Sequence, residues 1–227
     1  MIWKYIVCGI VGYLFGNIPS GVLISKLYGI RDIRKHGSGN TGTTNVLRTL
    51  GWLPSVLTLV CDCLKGYIPC LIGSWLAGDP GMLLGGLCAI LGHDFPAFLG
   101  FKGGKGIATS LGLIIAINPW LALALLVVQI AAVAVTRYMS IASLITTVAF
   151  PVLTAILERD RPNYPLFLGA ACIASALSLF GHRGNIQRLI HGEENRLDFG
   201  KISDVSKKVM DKMKRKREQG TGNREQE

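Results

Sequence analysis

The sequence has 227 residues, half of them hydrophobic, with only 17% charged and a mean hydropathy of +0.41. Soluble globular chains carry about 25% charged residues, and here residues 198–227 alone hold 9 basic and 6 acidic groups, leaving 15 and 8 for residues 1–197. Those few charges sit in short clusters between long uncharged runs, which excludes a soluble enzyme, a disordered chain and a nucleic-acid binder defined by its net charge of +10, and leaves an integral membrane protein.

A helix needs about 20 apolar residues to cross the hydrocarbon core. Residues 5–25 carry no charge over 21 positions and predict a first span, 5–27. A lone Lys4 precedes it and no small-residue cleavage pattern follows, so it reads as a retained helix rather than a secretory signal. Residues 52–77 are apolar except for Asp62 and Lys65, and 81–93 form a short apolar run. Residues 106–136 are uncharged over 31 positions, too long for one span. Asn118-Pro119 divides them, because proline lacks a backbone donor and disfavours helix in the residue before it. The pieces are 106–117 and 120–136. Residues 138–157 and 162–181 are each uncharged for 20 positions and predict spans 139–157 and 163–181.

The expected fold class is therefore all-α, a polytopic membrane helix bundle with about seven transmembrane helices. In a five-span variant the two short segments form a re-entrant pair, and the charged loops stay on the same side. Placing the N-terminus outside puts Lys26, Arg31, Arg34, Lys35, Arg48, Lys102, Lys105, Arg137, Arg183, Arg188 and Arg196 inside, against Lys4, Arg159 and Arg161 outside. That bias follows the positive-inside rule and sets the C-terminus inside. The division expected is a membrane domain, 1–197, and a basic cytoplasmic tail, 198–227. Within the tail Ile202, Val205, Val209 and Met213 recur at helical spacing among lysines, the pattern of an interfacial helix in contact with anionic lipid.

Cys8, Cys61, Cys63, Cys70, Cys88 and Cys172 all lie in apolar segments, where free cysteine packs as a small hydrophobe. No pair has the spacing and histidine partners of a zinc site. Asp62 and Lys65 share a helical face at i, i+3. Charges at that depth face a polar interior, as a structural pair, a helix hinge or a functional site.

Three polar clusters fall on the inner side. Residues 36–48 set Ser38, Asn40, Thr41, Thr43, Thr44 and Asn45 among Gly37, Gly39 and Gly42, with Arg48 ten residues after Ser38. Glycines let backbone N–H groups curl around an anion, and Thr or Asn caps the helix that follows. Gly37, Gly39 and Gly42 also satisfy G-x-G-x-x-G, but a dinucleotide site needs a preceding strand and here a membrane helix precedes. Residues 92–106 end in Lys102-Gly103-Gly104-Lys105-Gly106, two ammonium groups on a glycine loop before a helix N-terminus, a cradle suited to phosphate. It is not a P-loop, since Lys105 is followed by glycine. Phe95, Phe98 and Phe101 read as interface anchors or packing. In the third cluster, 181–196, headgroup binding explains Arg183 and Arg188 but not His182, Asn185 or Glu193.

These residues resemble the three motifs of the bacterial acyl-phosphate:glycerol-3-phosphate acyltransferases. The segments are Ser38-Gly-Asn-x-Gly-x-Thr-Asn-x-x-Arg48, then Gly92-His-x-x-Pro-x-x-x-x-Phe101-Lys-Gly-Gly-Lys-Gly-x-Ala-Thr109, then His182-Arg-x-Asn-Ile-x-Arg-Leu-x-x-Gly192 with Glu193 after it. The resemblance runs from about residue 5 to residue 197, in the family's order and spacing. It implies a seven-helix enzyme of the bacterial inner membrane with its active site on the cytoplasmic side. The implied reaction moves a fatty acyl chain from acyl phosphate to the 1-hydroxyl of sn-glycerol 3-phosphate, giving lysophosphatidic acid and phosphate, with no metal or cofactor and no nucleic-acid partner. No aspartate stands five residues after His36, His93, His182 or His191, so the His-x4-Asp dyad of other glycerolipid acyltransferases is absent.

The catalytic set expected is Ser38, Arg48, Lys105, His182, Asn185 and Glu193. The binding set is Asn40, Thr41, Gly42, Thr43, Asn45, Lys102, Gly103, Gly104 and Gly106. Acyl phosphate has a good leaving group, so direct attack by the acceptor hydroxyl suffices, with the 103–106 loop stabilising the developing charge through preorganised donors. Either His182 or the substrate's own phosphate takes the proton, and Ser38 is an alternative nucleophile. The rival class is a membrane transporter of an organic phosphate, against which the two halves show no internal repeat.

Overall fold

The computed structural model describes residues 2–222, with side chains as far as Lys214; Met1 and residues 223–227, the extremities of the ranges 1–197 and 198–227, lie outside the described residues. Among the described residues there is no strand. The helices are α1 (Ile2–Gly16), α2 (Ser20–Leu27), α3 (Thr43–Leu50), α4 (Trp52–Asp94), α5 (Ile107–Ile117), α6 (Pro119–Thr136), α7 (Met139–Leu157), α8 (Tyr164–Gly181), α9 (Arg183–Ile190) and α10 (Phe199–Gly222). Five stretches, Ile2–Leu27, Trp52–Leu99, Pro119–Thr136, Met139–Leu157 and Tyr164–Gly181, are long and apolar enough to cross a membrane, and Ile107–Ile117 is shorter.

Asn118 is extended and accepts the Trp120 N–H at 2.8 Å, so it caps α6 while Pro119 opens it. That is the break expected at this dipeptide. The first segment differs from expectation. It is not one helix over 5–27, because α1 stops at Gly16 and α2 starts at Ser20. Pro19 cannot donate to the turn before it, and Asn17 turns its amide back onto the Tyr13 carbonyl at 2.7 Å.

α4 is interrupted at Ala77 and at Gly78, where φ is +65°. Gly73 lies against the Gly81 carbonyl, Gly85 against that of Pro69, and Gly86 against Cys70 Sγ. Gly73, close to the break, meets residue 81 just beyond it, while Gly85, farther along, meets residue 69, so the halves on either side of the break run antiparallel. Small residues let membrane helices approach this closely.

The chain forms two compact units, neither continuous in sequence. The larger comprises residues 1–19 and 60–197. In it α5 to α8 pack as successive neighbours around Leu113, Leu121, Leu125, Phe150 and Phe167. Its interior is also polar: Thr147 and Ser178 hydroxyls lie 3.0 Å apart, and Ser175 Oγ donates to the Thr147 carbonyl at 2.8 Å. Its exposed side chains include Trp120, Val127, Ile130, Val148 and Ile173. Hydroxyls inside and aliphatics outside suit a lipid solvent. At one end, Asn118 donates to Glu158 at 2.6 Å and Arg161 to the Ile117 carbonyl at 2.7 Å.

The smaller unit comprises residues 20–59 and 198–227. It holds α2, the 36–42 loop, α3, the first turns of α4, and α10.

Candidate active site

The expected residues divide between the units. In the smaller unit Asn45, on the first turn of α3, organises the loop before it. Its Nδ2 donates to the carbonyls of Ile33, His36 and Asn40 at 3.2, 3.0 and 2.8 Å, while its Oδ1 accepts the Ser38 N–H at 2.8 Å. The side chain is 1% exposed. An amide has two N–H groups and one acceptor oxygen, so Asn45 is committed to backbone and shapes the loop. Asn40 Oδ1 accepts the Gly42 N–H at 2.8 Å, an Asx turn that leads into α3. Thr41 is buried, and Thr43 Oγ1 is buried with no hydrogen-bond partner among the described residues. Ser38 is exposed on this loop, and Arg48 is half-buried in the last turn of α3. Arg34 pairs with Asp32, Nε to Oδ1 and Nη2 to Oδ2, both at 3.0 Å. That guanidinium holds the Asp32 carboxyl down at about 2.

In the larger unit Lys105 Nζ donates to Asn185 Oδ1 at 2.5 Å. Asn185 Nδ2 donates to Glu194 Oε1, and Arg188 Nε to Glu194 Oε2, both at 2.9 Å. The four side chains form one hydrogen-bonded chain from a loop cation to a helix cation. Glu194 is 8% exposed, whereas Glu193, the carboxylate singled out from the sequence, is exposed. Glu194 was missed because adjacent glutamates after Gly192 look alike in sequence; the chain's fold back onto Asn185 distinguishes them.

His182 caps α9 and is 2% exposed. Its Nδ1 lies 2.8 Å from the Ser178 carbonyl, which can only accept, so Nδ1 carries the proton and Nε2 the lone pair. Burial first, and the Lys105 charge second, hold the imidazole down at about 4. It is therefore neutral at pH 7.

The glycine loop differs from the expected cradle. The Gly103 N–H goes to the Asp94 carbonyl at 3.1 Å and the Gly104 N–H to that of His93 at 3.0 Å. These bonds close the C-terminal end of α4, so neither amide is an idle anion donor. What this segment presents beyond those amides is the Lys102 and Lys105 side chains and the first turn of α5, which Gly106 opens at φ +71°. Gly104 must lack a side chain, since a Cβ there would overlap the His93 ring.

Beneath the loop Lys65 Nζ lies 2.8 Å from Asp62 Oδ1 and donates to the Ile18 carbonyl at 2.8 Å. His93 Nδ1 is 3.7 Å from the same carboxylate oxygen. All three side chains are buried. Asp62 and Lys65 thus form a buried pair, with His93 beside it. Asp94 is also buried, beside Gly106, with neither carboxylate oxygen hydrogen-bonded among the described residues. Its signal in the sequence is an acid beside His93 in an otherwise uncharged stretch. Tyr13 and Asn17 fasten the following turn, through Phe95 O at 3.0 Å and Ala97 N at 2.6 Å. Phe95 packs on Phe180, while Phe98 and Phe101 are exposed. Among the described residues no three His, Cys, Asp or Glu side chains are grouped as a metal site.

An apolar helical bundle that carries a buried neutral imidazole and a lysine–amide–carboxylate–arginine chain beside a glycine loop defines an integral membrane protein with an anion-handling polar centre. Residues 6–192 match the model of the glycerol-3-phosphate acyltransferase family, and the chain belongs to that family. It is 45% identical over 187 residues to the glycerol-3-phosphate acyltransferase of Geobacter sulfurreducens, covering 82% of this chain and 94% of that one. With that of Thermus thermophilus it shares 44% over 191 residues, covering 83% and 92%. Two crystal structures of PlsY (YgiH), an integral membrane glycerol 3-phosphate acyltransferase, superpose on it. The glycerol 3-phosphate form has a TM-score of 0.78 at 40% identity, covering 86% of this chain and 96% of the other. The lysophosphatidic acid form has a TM-score of 0.77 at 38%, covering 87% and 97%.

Proposed function

We propose that the protein transfers a fatty acyl group from acyl phosphate to the 1-hydroxyl of sn-glycerol 3-phosphate. The hydroxyl oxygen bonds to the acyl carbonyl carbon, the carbon–oxygen bond to phosphate breaks, and lysophosphatidic acid and phosphate leave. The chain Lys105–Asn185–Glu194–Arg188 beside a neutral His182 carries this reading, and membership of the family supports it. Lys105, aligned by Asn185, neutralises phosphate charge as it develops, with Lys102 on the same loop. Ser38 and Arg48 bind a substrate phosphate, and Asn40, Thr41, Gly42 and Thr43 form the loop around them. Two proton acceptors are available: His182 Nε2 and the acceptor's own phosphate.

The proposed setting is the inner membrane of a bacterium, crossed about seven times, with the N-terminus outside and the C-terminus and site on the cytoplasmic face. Residues 1–197 are the membrane domain and 198–227 a basic cytoplasmic tail. Supporting this, Lys105, Arg137 and α9 share one end of the larger unit, where a Cβ added to Gly181 would touch Lys105 and the Leu197 N–H reaches the Arg137 carbonyl at 2.8 Å. Exposed Lys201, Lys207, Lys208, Lys212 and Lys214 on α10 support contact of the tail with anionic lipid.

The test is purified protein with acyl phosphate and glycerol 3-phosphate, following phosphate release with and without a chelator. Release that depends on glycerol 3-phosphate and ignores the chelator is expected. Reconstituted protein that moves glycerol phosphate across vesicles and releases no phosphate would defeat the reading.

A further inference from the structure

α10 begins beyond residues 6–192, the stretch matched by the family model. Its apolar stripe, Ile202, Val205, Val209 and Met213, is the one the sequence assigns to a lipid surface. In the structure Ile202 is 3% exposed, Val205 and Val209 are half-buried with Ser206 between them, Met213 is exposed, and α10 packs along α3. The contact is specific at its centre. α3 ends on Gly51 at φ +85°, and a Cβ there would overlap Ser206. Ser206 Oγ accepts the Trp52 N–H at 3.1 Å and donates to the Ile202 carbonyl at 2.8 Å. The Phe199 and Trp52 rings stack, 6.3 Å apart and 2° from parallel.

α3 is an eight-residue helix, too short to be stable alone in water. It carries Arg48, and through Asn45 it fixes the Ser38 loop. An element clamped onto its C-terminal end therefore governs where Arg48 and Ser38 point. We infer that α10 is a built-in brace for substrate binding, with Ile202 and Ser206 as positioning residues acting through α3. This rests on the reading that Arg48 and the Ser38 loop bind a substrate phosphate.

The experiment compares full-length variants in steady-state kinetics. Ile202→Asp is expected to raise KM for glycerol 3-phosphate about tenfold, with kcat changed less than about threefold, and Ile202→Leu to restore it. Removal of 198–227 should reproduce the KM effect. The triple reversal Lys207→Glu, Lys208→Glu, Lys212→Glu, on exposed side chains of α10, should weaken sedimentation with anionic vesicles and leave KM unchanged. If Ile202→Asp and the truncation both keep the parental KM while Arg48→Ala abolishes turnover, the brace is refuted and the reading of Arg48 stands. If Arg48→Ala itself retains full turnover, that reading falls and the brace with it.

Discussion

Lys105 and Asn185 are 80 residues apart in sequence and share a hydrogen bond of 2.5 Å. The amide oxygen fixes the ammonium, and the amide nitrogen is fixed in turn by Glu194 at 2.9 Å. Replacing Glu194 by Gln leaves Arg188 without its charge partner and lets Asn185 rotate. A lost charge-assisted bond costs about 1–3 kcal/mol, so kcat/KM should fall roughly ten- to a hundredfold. Glu193→Gln, one residue earlier and exposed, should stay within about twofold of the parent. Equal effects at the two positions would dismiss the chain as an aligning device.

His182 gives a second prediction, on pH. Its folded-state value near 4 lies below the ordinary 6.5, so between these values the unfolded chain binds a proton that the folded chain refuses. The contribution of His182 to stability should therefore be level above about pH 7 and decline as pH falls from about 6.5 toward 4, by up to about 1.4 kcal/mol per pH unit. Thermal unfolding in detergent measures it, and His182→Gln should make the slope shallower. The activity profile separates the proton acceptors. With the imidazole as base, kcat should hold down to about pH 5. With the acceptor's phosphate as base, kcat should fall near its second ionisation, about pH 6.

Asp62 and Lys65 form a third test, of stability. Removing one partner leaves a buried charge alone, at a cost of about 3–5 kcal/mol. Asp62→Asn and Lys65→Met should each lower the unfolding temperature sharply in detergent. The double variant should be less damaging than the sum of the two. Lys65→Met should be the worse single change, because it also strands the Ile18 carbonyl. Strict additivity would mean that the 2.8 Å pair contributes no coupling.

How much of this the sequence carries depends on the range of the interaction. Lipid solvation acts residue by residue, so uncharged runs located α6, α7 and α8 to within a residue or two, and Asn118-Pro119 marked its own break. Pro19 was an equally local signal, and the long uncharged run 5–25 masked it. The chemistry of the site was legible as residue types, and its wiring was not. Nothing local says that Asn45 turns its amide onto three carbonyls rather than a ligand, that the Gly103 and Gly104 amides are taken by α4, or that Glu194 and not Glu193 reaches Asn185. Those are long-range returns of the backbone. The amphipathic stripe of α10 was visible too, but an apolar face looks the same whether lipid or α3 covers it.

Gly104 supplies the last prediction. A Cβ on Gly104 would overlap the His93 imidazole, while its N–H is held by the His93 carbonyl at 3.0 Å. The ring cannot retreat, because it is buried against Asp62 at 3.7 Å. Gly104→Ala must therefore displace the loop, and with it the Lys105 ammonium. A displacement of about 1 Å at a reacting group lowers rates roughly a hundredfold. The expected result is a drop in kcat of that order, with the protein still folded. Gly169→Ala, on α8 with open space around it, should keep full activity and gain up to about 1 kcal/mol of stability from helix propensity. A fully active Gly104→Ala protein would show that the loop does not set the position of Lys105.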